Sequence, residues 1–501
     1  VNLYFRKDQF KINRGDTIAW SGNSGSSGGP HLHFDIRDKN QRPLNPLKYG
    51  FEEVVDRTPP VASILAVKTM DIDSRVAGEF GRKKYALKRV GNNYVINEPI
   101  YAVGNLGFEL LAHDKLDYAR FRCGINTINF TIDEALVFSH QINSFAFSEQ
   151  RNILKHMNYE ELATSGKRYH KLYIDDGNNL KFYKTNSNRG MVTLYDEGEH
   201  LGKIDMIDTY GNNSQITFTL ITSDQRPEKE SQSGNNIHVQ NNTLSVQTIK
   251  NDSLDLNVYI PEHIQLSKSY EHKYSEYYLW DLRNGLPKAV EKGDFYKTLD
   301  FSDMVPSGID YSYFSNEIDI AFYKGSLFDT LFLETSYHQD SLENLELFVV
   351  GSATVPLKRN ITVTLKPKRV YSGSNQAAVF RVNSKNKLGG YVGGEWKSGK
   401  IQFNTRNLGR FTIAYDSVPP QIKPLVITSE ELKFRIEDTF SGLDKYECYL
   451  NGEWVLMNYD YKRKLIWSEK LDAEVPFEGI VKLIVTDNVN NKTKYETKIK
   501  L

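Results

Sequence analysis

His31 and His33 stand one residue apart in "SGNSGSSGGPHLHFDIRD", Ser21 to Asp38, and two imidazoles at that spacing can serve metal or proton chemistry. On an extended strand, residues two apart share a face. The rings of His31 and His33 would then project together, while Leu32 and Phe34 turn the other way into a core. The Gly/Ser run before them, ending at Pro30, supplies backbone freedom that residues with a Cβ resist, and it leaves the histidines open to an extended substrate. A zinc site needs at least three protein ligands, so the pair alone is also readable as two surface imidazoles.

The surroundings of the pair sharpen this reading. The whole run "RGDTIAWSGNSGSSGGPHLHFDIRDKNQRPLNPLKYGF" has a Gly-Asp turn, an apolar strand, a Ser/Gly-rich loop, Gly-Pro-His-Leu-His-Phe, a further strand and a Pro-Leu-Asn-Pro tail from Pro43 to Pro46. It closely resembles the C-terminal half of the lysostaphin-type (LytM-like) zinc metalloendopeptidases. The resemblance implies that His33 is a zinc ligand and that His31 is the catalytic histidine beside the metal. It implies that the loop from Asn23 to Gly29, with Asn23, Ser24, Gly25, Ser26 and Ser27 as its substrate-facing part, flanks the substrate groove. The implied reaction is hydrolysis of a peptide bond, often in peptidoglycan, with zinc polarising the carbonyl and lowering the pKa of its water. The family's other ligands, an upstream His and a His-x-x-x-Asp pair, have no counterpart here, because residues 1 to 30 contain no histidine. The expectation is that the natural protein has an N-terminal portion that carries them.

Three other motifs have plainer readings. His113 and Asp117 fit His-x-x-x-Asp, but they follow rather than precede the Gly-rich loop, and the spacing is read as coincidence. Arg14-Gly15-Asp16 is read as the turn before the strand "TIAWSG" rather than as an adhesion signal. Four tyrosines and Trp280 in "KSYEHKYSEYYLWD", Lys268 to Asp281, could form a glycan platform, but aromatics favour strands, so a half-buried strand is preferred.

The elements that must carry these residues are β-strands. At 501 residues the chain suits three or four domains. Lys+Arg and Asp+Glu number 63 each, so no net charge draws the chain to nucleic acid or an anionic membrane. Aromatics reach 12% and runs of helical period are scarce, which predicts an all-β chain. No apolar run approaches the roughly 18 residues of a spanning helix. Cys123 and Cys448 are too far apart in sequence for a disulfide framework.

The chain also repeats itself. "DRTPP" at Asp56 to Pro60 and "DSVPP" at Asp416 to Pro420 each introduce a module, and "DTYGNNS" at Asp208 and "DNVNNKT" at Asp487 each close one. Between them Asp114 aligns with Asp438, Phe121 with Tyr446, Cys123 with Cys448 and Asn126 with Asn451, which places both cysteines inward at equivalent positions. Runs such as "QITFTLI", "LKFRIED" and "VKLIVTD", bounded by Asn, Gly and Asp turns, read as sandwich strands. The expected layout is a partial peptidase β-sheet core at 1–55, an Ig-like β-sandwich at 59–223 with a helical insertion near "SEQRNILKHMNYEELATSG", a mobile polar linker at 224–236, a β-rich domain at 237–415 and a second Ig-like module at 419–501.

The functional expectation is a bacterial cell-envelope zinc metalloendopeptidase acting on peptidoglycan peptides, in the periplasm or at the outer membrane, with any lipid anchor outside this chain. The alternative is a non-catalytic, peptidase-like scaffold that binds envelope protein subunits. Glycan binding by the central domain is a third reading. None involves nucleic acid.

Overall fold

The computed structural model describes residues 6, 8–13, 15–19, 31–224, 234–251, 254–340, 345–371, 376–468, 470 and 474–500. The chain forms two compact units, one of residues 36–372 and 379–414, the other of residues 1–35, 373–378 and 415–501. Both are built almost wholly from antiparallel β-sheets, so the all-β, sandwich-based expectation holds.

In the larger unit, the first sandwich is organised by the strand Ile100–His113. Its second half lies between Val61–Thr69 on one side and Val192–Leu194 and Tyr169–Lys171 on the other. Its first residues instead run parallel to the end of Asn213–Thr222, with Leu220 opposite Ile100. One strand therefore serves both layers, and Gly104 at φ 93° sits at the change, where an added Cβ would meet Ser74 Oγ at 2.4 Å. The second layer runs Tyr183–Thr185, Ala135–Gln141, Thr127–Ile132, Glu199–Ile207, Asn213–Thr222. Alternate residues of these strands fill the core, where Phe108, Phe130 and Phe218 form a triangle of rings with centroids 4.9 to 6.3 Å apart.

Gly202 lies directly opposite Phe218 across the strand pair, and a Cβ there would reach 2.3 Å from the Phe218 ring. The missing side chain is the space the ring occupies. Gly202→Val should therefore cost about 1–3 kcal/mol or more through overpacking, read as a lower urea midpoint. An unchanged midpoint would show that the ring can move aside.

The helical insertion is present as Phe147–Asn152, Ile153–His156 and Tyr159–Ser165. The last helix is capped by Asn158, whose side chain accepts from Glu161 N at 3.0 Å, and it stops at Gly166 in the left-handed region.

The stretch 237–415, expected as one domain, carries two pairs of sheets. Strands between Asn236 and Thr298 make two four-stranded sheets, and strands between Phe301 and Tyr415 make one of six and one of five. Ser275–Asp281 is a buried strand, with Tyr277 stacked on Tyr270 at 4.5 Å, so the aromatic run packs as sheet core. Tyr270 also accepts from Phe80 N of the first sandwich, and Gln240 donates to Thr69 O, which joins the two sandwiches within this unit. Residues 225–233 of the expected linker lie outside the described residues.

In the smaller unit, Gln421–Ile427, Leu432–Glu437, Leu465–Ser468 and Asn458–Asp460 face a second sheet of Glu453–Val455, Leu443–Leu450, Gly479–Asp487 and Lys492–Ile499. Phe434, Ile436, Cys448, Leu483 and Val485 fill the space between. The cysteine part of the repeat alignment needs correction. Cys448 is buried on a strand, but Cys123 is exposed. The chain resumes a strand at Leu443 soon after Asp438, whereas after Asp114 it makes a longer loop before Thr127, and Cys123 sits in that extra loop. Phe121 and Asn126 fall out of register with Tyr446 and Asn451 for the same reason.

Candidate functional site

The expected site begins with His31 and His33. Neither lies on a strand: among the described residues the first bridge of this segment is Arg37 with Pro43, beside Leu44 N donating to Ile36 O at 2.8 Å. Leu32 at 83% and Phe34 at 58% exposure do not pack into a core as the alternation predicts. Before Val61, the described residues form the isolated bridges Arg37 with Pro43 and Leu44 with Ser144 and a single turn of 3-10 helix at Pro46–Lys48, and residues 1–5 and 20–30 of the expected sheet core lie outside the described residues. Asn23, Ser24, Gly25, Ser26 and Ser27 lie outside the described residues.

His33 is nevertheless oriented. Its Nε2 is 3.0 Å from Asp35 Oδ1, and the imidazole remains exposed. A carboxylate on one ring nitrogen is the usual support for a histidine that offers its other nitrogen to a metal, because it fixes the tautomer and raises basicity. His33 thus fits the role of one zinc ligand. The described residues do not complete the set. The groupings of His, Cys, Asp and Glu able to hold a metal among them contain neither His31 nor His33.

The Pro-Leu-Asn-Pro tail has a firm seat. Asn45 Nδ2 donates to Thr209 Oγ1 at 2.8 Å, Asn45 N donates to Asn143 O at 2.9 Å, and Lys48 reaches Asn143 Oδ1. The asparagine also caps its own turn, accepting from Leu47 N at 3.1 Å. Beside this seat lies a polar groove of about 470 Å³ lined by Lys48, Asn126, Asn129, Ser139, Gln141 and Lys184.

The other motifs resolve as the plainer readings suggest. Asp117 accepts from Thr58 Oγ1 at 2.6 Å and from Arg57 N, while His113 ends the long strand, so the pair does different work. Asp16 Oδ2 accepts from Asn13 N at 2.7 Å, a turn contact.

One cluster escaped sequence reasoning. His140, His156 and His170 come from a strand, a helix and a second strand, and all are 3% exposed or less. His170 Nδ1 lies 3.4 Å from His156 Nε2, and His156 Nδ1 lies 3.0 Å from the Tyr183 hydroxyl. Burial pulls the His140 pKa down to about 3 and that of His170 down to about 4, and it holds His156 well below the ordinary value. Three buried neutral imidazoles are a packing cluster sensitive to acid.

Comparison with known proteins adds domain-level likenesses. Residues 304–416 match the model of the Zu5-like domain. No curated protein matches. Among solved structures, immunoglobulin domains 1–5 of Sidekick-1 share 9% identity over 90% of this chain and 97% of theirs, with a TM-score of 0.14. A 1.5-MDa bacterial ice-binding adhesin shares 10% over 79% of this chain and 90% of its own, with a TM-score of 0.13. The N-terminal eight Ig domains of the Down Syndrome Cell Adhesion Molecule share 8% over 89% of this chain and 67% of theirs, with a TM-score of 0.14.

Proposed function

We propose that this chain carries the C-terminal part of a cell-envelope zinc metalloendopeptidase acting on peptidoglycan peptides, followed by β-sandwich modules that hold it in place. The observation that carries the proposal is the Gly-Pro-His-Leu-His-Phe run with its Pro-Leu-Asn-Pro tail, supported by the Asp35 carboxylate on the His33 ring. Zinc, when bound, polarises a scissile carbonyl and makes its water a nucleophile near neutral pH. The chain's own share is His33 as one ligand, Asp35 as its orienting carboxylate and His31 as the proton-handling imidazole. The remaining ligands are not among the described residues.

In the protein isolated from its native source, His33→Ala should lower zinc content several-fold. His31→Ala should keep the metal and reduce peptide hydrolysis by about 10²–10⁴-fold, the range of a lost general acid or base. Elemental analysis with a peptidoglycan-peptide assay checks both. Absence of stoichiometric zinc from the unsubstituted protein would defeat this reading. The alternative, a peptidase-like scaffold for envelope protein subunits, is favoured by the solvent-facing Leu32 and Phe34, which offer an apolar contact beside the histidines. It predicts that both substitutions leave the cellular role intact.

A further inference from the structure

The residues that mark the internal repeat converge in space. In the first sandwich, Asp56 precedes the strand Val61–Thr69, Asp114 follows Ile100–His113 and Asp208 follows Glu199–Ile207, so three strand ends deliver three carboxylates to one pole. They are 6%, 5% and 4% exposed, and one oxygen from each lies within 4.8 Å of the others. Among the described residues no Lys, Arg or His forms an ion pair with any of the three.

The hydrogen bonds divide unevenly over this cluster. Asp208 is satisfied, with Oδ1 accepting from Tyr210 N at 2.8 Å and Asn212 N at 2.9 Å, and Oδ2 accepting from Asn212 Nδ2 at 2.7 Å. Asp56 Oδ1 accepts from Thr58 N at 3.0 Å. Asp56 Oδ2 and Asp114 Oδ1 are buried with no donor at all. Two orphaned carboxylate oxygens beside a third carboxylate are unfavourable unless a proton or a cation sits among them.

The C-terminal module provides an internal comparison of the same design. Asp416, Asp438 and Asp487 cluster equally, and Asn491 bonds Asp487 and the Asp416 carbonyl as Asn212 bonds Asp208 and the Asp56 carbonyl. There, however, Ser441 N donates to Asp416 Oδ2 at 3.0 Å, and Phe440 N and Gly442 N donate to Asp438 Oδ1. The Asp416 oxygen that matches the orphaned Asp56 Oδ2 is thus satisfied in the second copy.

We propose that Asp56, Asp114 and Asp208 form a binding site for a hard divalent cation, calcium, at the pole of the first sandwich. All the donors are oxygens, which select hard cations over zinc or copper. Calcium–oxygen bonds of about 2.3–2.6 Å span an oxygen cluster of this size. Thr209, next to Asp208, seats Asn45 of the Pro-Leu-Asn-Pro tail, so the ion would fix the turn on which the peptidase-like segment rests.

The test is calcium titration of the whole, chelator-stripped protein by calorimetry and thermal unfolding. One site with Kd of order 10⁻⁶–10⁻³ M is expected, with a rise of several degrees in the first sandwich's unfolding at 5 mM calcium, an estimate from the range of protein calcium sites. Asp114→Asn should abolish the rise, yet unfold in chelator no earlier than the unsubstituted protein, because it removes one of three repelling charges. Asp438→Asn should retain the rise. Should Asp114→Asn fail to fold, Asp56→Asn takes its place with the same expectation. The proposal is overturned if calcium produces no shift, if the shift survives Asp114→Asn or its replacement, or if magnesium matches calcium.

Discussion

Arg82→Met should lower the unfolding free energy of the first sandwich by about 3–5 kcal/mol, the cost of stripping a buried ion from its partner. Glu109, on the long central strand, is fully buried. It accepts from Arg82 Nε at 2.6 Å, from Asn158 Nδ2 at 2.9 Å and from the Tyr173 hydroxyl at 3.1 Å. Burial pushes its pKa up, but the charges of Arg82, Lys68 and Lys171 outweigh this and hold it below the usual value. Arg82 also bonds Glu161 at 2.8 Å and covers the Tyr169 ring at 4.3 Å, so one guanidinium ties the helical insertion to the sheet. Removing it leaves a buried anion hydrogen-bonded only by neutral donors, with Lys68 and Lys171 as its remaining positive neighbours. Urea unfolding monitored by tyrosine fluorescence reads the loss, because residues 59–223 contain no tryptophan. The paired change Arg82→Met with Glu109→Leu should recover much of it, because two apolar groups carry no orphaned charge. A single variant within about 1 kcal/mol of the parent would show that solvent reaches the carboxylate.

The second large effect is acid sensitivity of the same sandwich. His140, His156 and His170 titrate in the unfolded chain near the ordinary imidazole value of about 6.5, but in the folded protein only far below it. A depressed folded pKa means that the unfolded state binds more protons as pH falls. Stability is therefore complete above about pH 6.5 and is lost on the way down toward about pH 4. Three such groups give a slope of up to about 4 kcal/mol per pH unit in that window. His140→Phe should remove about one third of the slope, since the ring already packs among Phe138 and Phe182. Denaturant midpoints at pH 7, 6 and 5 measure it. Midpoints that do not move between pH 7 and 5 would mean that these imidazoles charge in place.

Much of the architecture was legible in the sequence, because sandwich strands announce themselves locally. "GRFTIAY" is the strand Gly409–Tyr415, and "LKFRIED" and "QITFTLI" lie on strands with alternating burial. The turn chemistry of "DTYGNNS" and "DNVNNKT" was equally clear, because Asp208 and Asp487 bond backbone two and four residues on. What a local reading misses is what a core or a pole assembles from distant positions. Asp56, Asp114 and Asp208 were visible as repeat markers, but only the fold brings them together. His140, His156 and His170 carried no mutual signal at all. The His31 to Phe34 stretch fails differently: its alternation is real, but alternation makes a strand only where another strand accepts its hydrogen bonds.

The position of Cys123 has a practical corollary. Its backbone is bridged twice to Asp114, with Asp114 N donating to Cys123 O at 3.0 Å and Cys123 N donating to Asp114 O at 2.7 Å. Cys448 is sealed in the core of the other sandwich, its thiol pushed up by burial to about 11. Burial and the Asp114 carboxylate raise the Cys123 thiol as well, so a maleimide reacts slowly near neutrality and faster in mild alkali. The folded chain thus takes a fluorophore at a single native address, one backbone bridge away from the acidic pole, and the dye becomes an optical gauge of that pole without any engineered cysteine.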